Sequence, residues 1–227
     1  MRQFVKNLYR VLEPPGATRY IDWESPGVPR VLREFIDDSS LILSIGSGRK
    51  KYGKNVICLD LVRYPSVNVV ADGEHLPFKA KSFEKAVIQE VLEHVGNPEE
   101  VMAEVRRILK VGGRVFCDAP FMFPYHPNPY DLRRYSLDGL VKQFEECGFV
   151  VIQKGIDMGP SSLFCLVLRY YLSLLTSFNR ARLFNIGWLF WGWLTFWIKY
   201  LDSIVAGWKN GLSDYISAGV YVVAEKQ

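Results

Sequence analysis

The stretch Leu41-Ile-Leu-Ser-Ile-Gly-Ser-Gly-Arg-Lys-Lys-Tyr-Gly53 runs from an apolar strand into a glycine turn. That is how a nucleotide-type cofactor site begins, because glycine lets the backbone approach a ligand closely. Parts of a dinucleotide site are missing, however. No acid precedes the glycines, and after Gly46 and Gly48 the position that needs a third glycine is Lys51. Asp60 comes too early for the acid that such a site places about 20 residues further on. Only about ten residues, Gly46 to Asn55, lead to the next strand, and a parallel crossover carries a dozen or more. The connection is therefore expected to be a loop or a turn or two of helix, too short for a helix that binds pyrophosphate.

Outward from this stretch, strands and helices alternate. Leu41–Ile45, Asn55–Leu59, Val67–Ala71, Lys85–Ile88, Arg114–Asp118, Phe149–Gln153 and Val220–Ala224 read as strands. A short helix is expected over Pro29 to Asp37, with Val31, Leu32, Phe35 and Ile36 on one face. A second starts at Asn97, with Pro98 at its first position, acids in its first turn and a stop at Gly112-Gly113. A third runs from a Ser136 cap to Gly148. The alternation predicts an α/β fold with a doubly wound, mainly parallel sheet of seven strands, in which a terminal hairpin turns the last strand antiparallel. The predicted organisation is an arm and helix over 1–40 and one domain over 41–227, which contains an apolar helical insertion over 160–212.

The bulk numbers narrow the function. At 227 residues and 49% apolar the chain can bury a substantial core. A net charge of +4 with no polybasic block argues against nucleic-acid binding. Cys58, Cys117, Cys147 and Cys165 form no C-x-x-C pair and are expected to be reduced, as in a cytoplasmic protein. Charges scattered through Met1 to Arg10 argue against a secretory signal. With three histidines and no His/Cys/carboxylate cluster along the chain, no metal is expected.

In an open parallel sheet, ligands sit beyond the carboxyl ends of the strands near the switch point. Four features fall there: Gly46-Ser47-Gly48, Asp60, Asp72-Gly73-Glu74 and Gln89-Glu90. A carboxylate after the second strand can accept hydrogen bonds from ribose hydroxyls, and one after the third can accept from an adenine amino group.

With these features, the segments Ile42-Leu-Ser-Ile-Gly-Ser-Gly48, Ala71-Asp-Gly-Glu-His-Leu-Pro-Phe78, Val91-Leu-Glu-His-Val95 and Arg107-Ile-Leu-Lys-Val-Gly-Gly113 resemble the class I S-adenosylmethionine (SAM)-dependent methyltransferases, in the branch described as type 11. The resemblance covers roughly 40–153 and the last strand. It implies SAM as cofactor. Gly46, Ser47 and Gly48 would lie under its methionine part, Asp60 on the ribose, and Asp72 by the adenine with Gly73 and Glu74 beside it. Gln89 and Glu90 would lie nearby. Ser44 departs from the family, which usually has Asp or Glu there.

The loop Ala119-Pro-Phe-Met-Phe-Pro-Tyr-His-Pro-Asn-Pro-Tyr-Asp-Leu-Arg-Arg-Tyr135 is the natural acceptor side, because its prolines can hold polar groups at little ordering cost. Here His126 is the candidate base, and Asp131 could orient or replace it. Tyr125, Arg133 and Arg134 are candidates for substrate binding, the arginines for an anionic group. The other reading is an Asp131–arginine ion pair that pins the loop, with His126 capping a turn.

The stretch Ile186-Gly-Trp-Leu-Phe-Trp-Gly-Trp-Leu-Thr-Phe-Trp-Ile198 carries no charge, and a first apolar run over Leu163–Leu175 is interrupted by Arg169. Neither run is long enough to span a membrane, so a helical pair lying on a membrane surface through 163–208 is expected, peripheral to the inner face. A homodimer contact and a lid are the alternatives. The expected activity is methyl transfer to a small or lipid-linked acceptor such as a glycan or polysaccharide precursor. The competing expectation is a non-catalytic module of the same fold that partners another enzyme at a membrane.

Overall fold

Strand β1 (Ile42–Ile45) lies between β2 (Val56–Asp60) and β4 (Phe83–Gln89) and runs parallel to both, with Ile42 opposite Val56 on one side and Lys85 on the other. The computed structural model describes residues 12, 14, 30–36, 39–50, 52–205 and 215–227. Strands β3 (Val69–Val70), β5 (Leu109–Pro120), β6 (Phe149–Met158) and β7 (Gly219–Lys226) complete a seven-stranded sheet in the order β3-β2-β1-β4-β5-β7-β6. Strand β7 is antiparallel to both β5 and β6, as the terminal hairpin predicts. The order reverses between β1 and β4, so the glycine loop after β1 opens at the switch point.

The pleat sorts side chains to two faces. Leu43, Ile45, Ala86, Ile88, Val115 and Cys117 share a core with helices α2 (Pro98–Ile108) and α3 (Leu137–Glu146). Ile42, Val56, Cys58, Val87, Phe116 and Tyr221 share another with Leu32 and Phe35 of helix α1 (Arg30–Phe35). No helix stands between β1 and β2 among the described residues, in keeping with the short connection.

Two helix boundaries read from sequence turn out differently. Helix α2 stops at Ile108, not at Gly112-Gly113, because Leu109 goes extended and buries its side chain beside Phe83 at the start of β5. The glycine pair instead lies in an irregular stretch of β5, where a Cβ on Gly113 would meet the Lys110 carbonyl oxygen at 2.8 Å. The Asn97 side chain makes no cap, whereas Ser136 does cap α3, its Oγ accepting from Gly139 N at 3.1 Å.

The described residues divide into two compact units, one of the sheet with its flanking helices, up to Met158 and again from Ser217, and the other between Gly159 and Ile216. The stretch expected as an insertion over 160–212 falls within the second of these units. The arm expected over 1–40 lies largely outside the described residues. The helical unit contains α4 (Pro160–Leu175), α5 (Ala181–Thr195), a 3-10 helix over Phe196–Leu201 and the short α6 (Asp202–Val205). Asp202 caps α4 by accepting from Ser161 N and Ser162 N at 2.8 and 2.9 Å. Arg169, the apparent interruption, is buried between α4 and α5. Its Nε donates to the Trp188 carbonyl oxygen at 2.7 Å, and its guanidinium stacks 3.9 Å from the Trp188 ring centroid. A Cβ on Gly192 would come within 2.6 Å of that guanidinium, so glycine makes room for it.

Candidate active site

The turn after β1 is tied to β2. Ser47 N donates to the Leu59 carbonyl oxygen at 3.0 Å, and Gly48 N to Asp60 Oδ2 at 2.8 Å. Asp60 Oδ1 accepts from Val62 N at 2.8 Å. Each carboxylate oxygen has a second lone pair, so Asp60 braces the loop and can still accept from a ligand. After β3, Asp72 closes a turn by accepting from Glu74 N at 3.0 Å, and Gly73 packs on Ile45 and Val101. Glu74 Oε1 accepts from Asn97 N at 3.2 Å, which links this turn to the start of α2. After β4, the buried Gln89 accepts from the Tyr52 hydroxyl at 3.1 Å, and Glu90 turns away at φ 54° with its N–H on Asp118 Oδ1 at 2.8 Å. All the cofactor residues named from sequence therefore stand along the carboxyl edge of β1 to β4.

Four residues that the sequence reading passed over complete this edge. Lys50 Nζ lies 3.8 Å from Glu90 Oε2. An open cleft is lined by Glu90, Asp118, Phe123, Asp157, Met158 and Gly219, among others. Burial opposes the charge on Lys50, but Tyr52, Glu90, Asp118 and Asp157 around it hold its pKa above the ordinary lysine value. Burial raises both acids, Asp118 with help from Asp157 and Glu90, and Asp157 to about 7 with help from Glu90. Asp118 Oδ2 and Asp157 Oδ1 have no hydrogen-bond partner. Asp118 was legible as a strand end. Lys50, Tyr52 and Asp157 carry no local signal.

The loop after β5 is held by its own charged groups. Asp131, with a fully buried side chain, takes both forks of Arg134, one at 2.7 Å, and accepts from His126 N at 2.9 Å. Arg134 holds the Asp131 carboxyl far below the usual carboxylate range. Arg134 also donates to the Phe123 carbonyl oxygen at 3.2 Å, and Arg133 donates to those of Val95 and Gly96. The geometry gives Asp131, Arg133 and Arg134 a holding role, and so weak a base as Asp131 suits proton abstraction poorly. His126 reaches Asp131 through its backbone, with Nδ1 3.4 Å from Oδ2, so the expected base-and-orienter pair is loose. Tyr125 is 72% exposed.

His126 instead faces Glu93 and His94. Nε2 of each histidine lies 3.6 Å from Glu93 Oε1, and the Glu93 side chain is 0% exposed. The carboxylate raises the His126 pKa against the opposing effect of burial. The expectation of no such cluster fails because His94 follows β4 and His126 follows β5, and only strand pairing brings them together.

Residues 45–117, from the end of β1 into β5, match the family model described as a methyltransferase domain. A stretch of 47 residues is 43% identical to an uncharacterized protein of Methanocaldococcus jannaschii, covering 21% of this chain and 23% of that one, so the match spans under a quarter of that relative. The 4+2 cyclase SpnF superposes with a TM-score of 0.55 at 15% identity over 98% of this chain and 92% of its own. The 1,6-didemethyltoxoflavin-N1-methyltransferase of Burkholderia thailandensis, with bound 1,6-didemethyltoxoflavin and S-adenosylhomocysteine, gives 0.52 at 12% identity over 87% and 75%. A SAM-dependent methyltransferase of Methanosarcina mazei gives 0.50 at 14% identity over 87% and 97%. At such identities the superpositions speak for the fold, and the cyclase shows that this fold hosts more than one chemistry. The family match lies across the glycine loop and the strand ends, so the stretch over 45–117 resembles a methyltransferase domain.

Proposed function

We propose that the protein methylates a small or lipid-linked acceptor, of the class of glycan or polysaccharide precursors, with SAM as donor. The observation that carries the donor half is the bond from Gly48 N to Asp60 Oδ2, which preforms the glycine turn beside a carboxylate with acceptor capacity left over. Around it, Gly48 has open space where a Cβ would stand, so a ligand can approach the backbone there. Gly46, Ser47 and Gly48 would lie under the methionine part, Asp60 on the ribose and Asp72 toward the adenine. Ser44 is buried and uncharged, and the unlike charges that the methionine end requires are offered by Lys50 and Glu90.

When bound, SAM supplies a methyl group on a sulfonium, an electrophile that needs no further activation. The chain's own task is to align the acceptor and exclude water. The loop over 121–135 does this in our reading. Asp131, Arg133 and Arg134 hold its backbone, and His126, with His94 and Glu93, stands by the acceptor's nucleophile. The lipid-linked form of the acceptor rests on the aromatic surface of the helical unit, where Phe190, Trp193 and Trp197 are exposed, and on the exposed Arg180 and Arg182 at the start of α5. No described helix is long and apolar enough to cross a membrane, which fits a unit that lies on one.

Calorimetric titration with SAM and with S-adenosylhomocysteine tests the donor half. Micromolar binding is expected, weakened at least about tenfold in Asp60→Ala. An unchanged dissociation constant in the variant would remove Asp60 from the site. No binding to the folded wild type would favour the non-catalytic module that Ser44 suggests.

A further inference from the structure

We propose that Glu93, His94 and His126 form a divalent-metal site, a centre of two imidazoles and one carboxylate that takes zinc or a similar transition-metal ion. The three side chains offer ligand atoms that all lie within 4.8 Å of one another. Glu93 Oε1 is the shared vertex, 3.6 Å from Nε2 of each histidine. Zinc bonds of 2.0–2.1 Å in tetrahedral geometry put ligand atoms about 3.4 Å apart. The Glu93–histidine edges are therefore close to the right length without an ion, and the remaining edge closes by a small movement of two partly exposed rings.

The surroundings indicate what belongs at the centre. Glu93 is wholly buried, yet neither of its oxygens has a hydrogen-bond partner. A buried carboxylate left in that condition is costly unless a positive charge comes to it. The other nitrogen of each ring faces a backbone carbonyl: His94 Nδ1 the Tyr130 oxygen, and His126 Nδ1 the Pro124 oxygen at 3.0 Å. A carbonyl can only accept, so both Nδ1 atoms carry a proton, and in the neutral rings both Nε2 lone pairs turn toward Glu93. Lone pairs from two rings and a carboxylate then converge on one point, an arrangement that a cation relieves. Metal-ligating histidines are commonly oriented in just this way, with the second ring N–H fixed on a carbonyl.

The two segments are also tied together independently of the three ligands. Leu132 N donates to the Glu93 carbonyl oxygen at 2.8 Å, and Arg133 holds those of Val95 and Gly96. The site is thus largely preformed. Imidazole and carboxylate ligands together select zinc, manganese, iron or cobalt over magnesium or calcium. Three protein ligands leave a coordination position free, and with the His94 and His126 side chains 16% and 28% exposed, that position is reachable from outside. An acceptor hydroxyl bound there would lose its proton more readily. That consequence rests on the methyl-transfer reading; the binding of the ion does not.

The test uses the full chain, stripped with a chelator and titrated with zinc chloride by calorimetry. One equivalent is expected to bind, at least about tenfold more weakly in His94→Ala, in His126→Ala and in Glu93→Gln, and unchanged in His75→Ala. Circular dichroism checks that each variant folds. Cobalt(II) bound to the wild type keeps the test open should the variants fail to fold. Visible bands of nitrogen and oxygen ligation are expected, and a thiolate charge-transfer band would place the ion on cysteine and overturn the proposal. No saturable binding to the folded wild type would also overturn it, leaving Glu93 balanced by a proton on an imidazole. So would equal affinity in wild type and ligand variants. Titration of the same samples with SAM reads the methyltransferase assignment separately.

Discussion

Gly46 and Gly48 both sit at positive φ, at 62° and 56°, yet they answer to different demands. A Cβ on Gly46 would lie 2.4 Å from Val91 Cγ2, whereas one on Gly48 would meet nothing within 4 Å. The first glycine is required by packing and the second by its conformation and by whatever approaches from outside. Gly48→Ala is therefore expected to cost about 1–2 kcal/mol of stability, the left-handed conformation alone. Gly46→Ala should cost more, because overpacking adds about 1–3 kcal/mol. Urea unfolding of the two variants measures the difference, and equal midpoints would refute the assignment. The two glycines were legible in the sequence as a pair. Their different reasons were not, because Val91 reaches Gly46 only through the pairing of β1 with β4.

At the level of elements, the site is made by strand ends, and their chemistry is set by what the sheet buries there. Asp118 ends β5, and Asp157 stands near the end of β6. Burial drives both carboxyls up, Asp157 from an ordinary 3.8 to about 7. Between those two values the unfolded chain has released the Asp157 proton while the folded chain keeps it. The unfolded state then binds fewer protons, so this contribution to stability falls as pH rises through the window and levels off above it. Asp157→Asn should remove the decline. Its urea midpoint should exceed that of the wild type at pH 7.5 by more than at pH 5. A gap of the same size at both values would show that Asp157 is ionised throughout. The strands themselves were readable from their apolar runs. The acid pair was not, since β6 and β5 are brought to one cleft only by the β7 strand that lies between them.

On the scale of the whole chain, two units with different surfaces share one sequence. The helical unit turns some aromatics inward and leaves others out. Trp191 donates its indole N–H to Thr176 Oγ1 at 3.1 Å, whereas Trp193 and Trp197 remain 49% and 55% exposed. If this surface meets a membrane, Trp193→Ser with Trp197→Ser should reduce cosedimentation with anionic phospholipid vesicles severalfold. Changing Trp191 would test packing instead. Equal sedimentation of the wild type and the double variant would assign the patch to a second copy of the chain or to a lid.

What the sequence determined by itself is what local pattern encodes: the apolar runs that become strands, the glycine turn after β1, the acids at strand ends, the Ser136 cap, and the shortness of the first connection. These depend on neighbours along the chain, so they survive reading in one dimension. Tertiary structure alone decided which groups converge. Sheet register brought His126 to Glu93 and His94, and the β5–β7–β6 order brought Asp157 to Asp118. Helix packing placed Arg169 inside a seam, where sequence showed only a break in an apolar run. Such meetings join residues far apart in sequence, and their energies come from burial and charge, which exist only once the chain has folded around them.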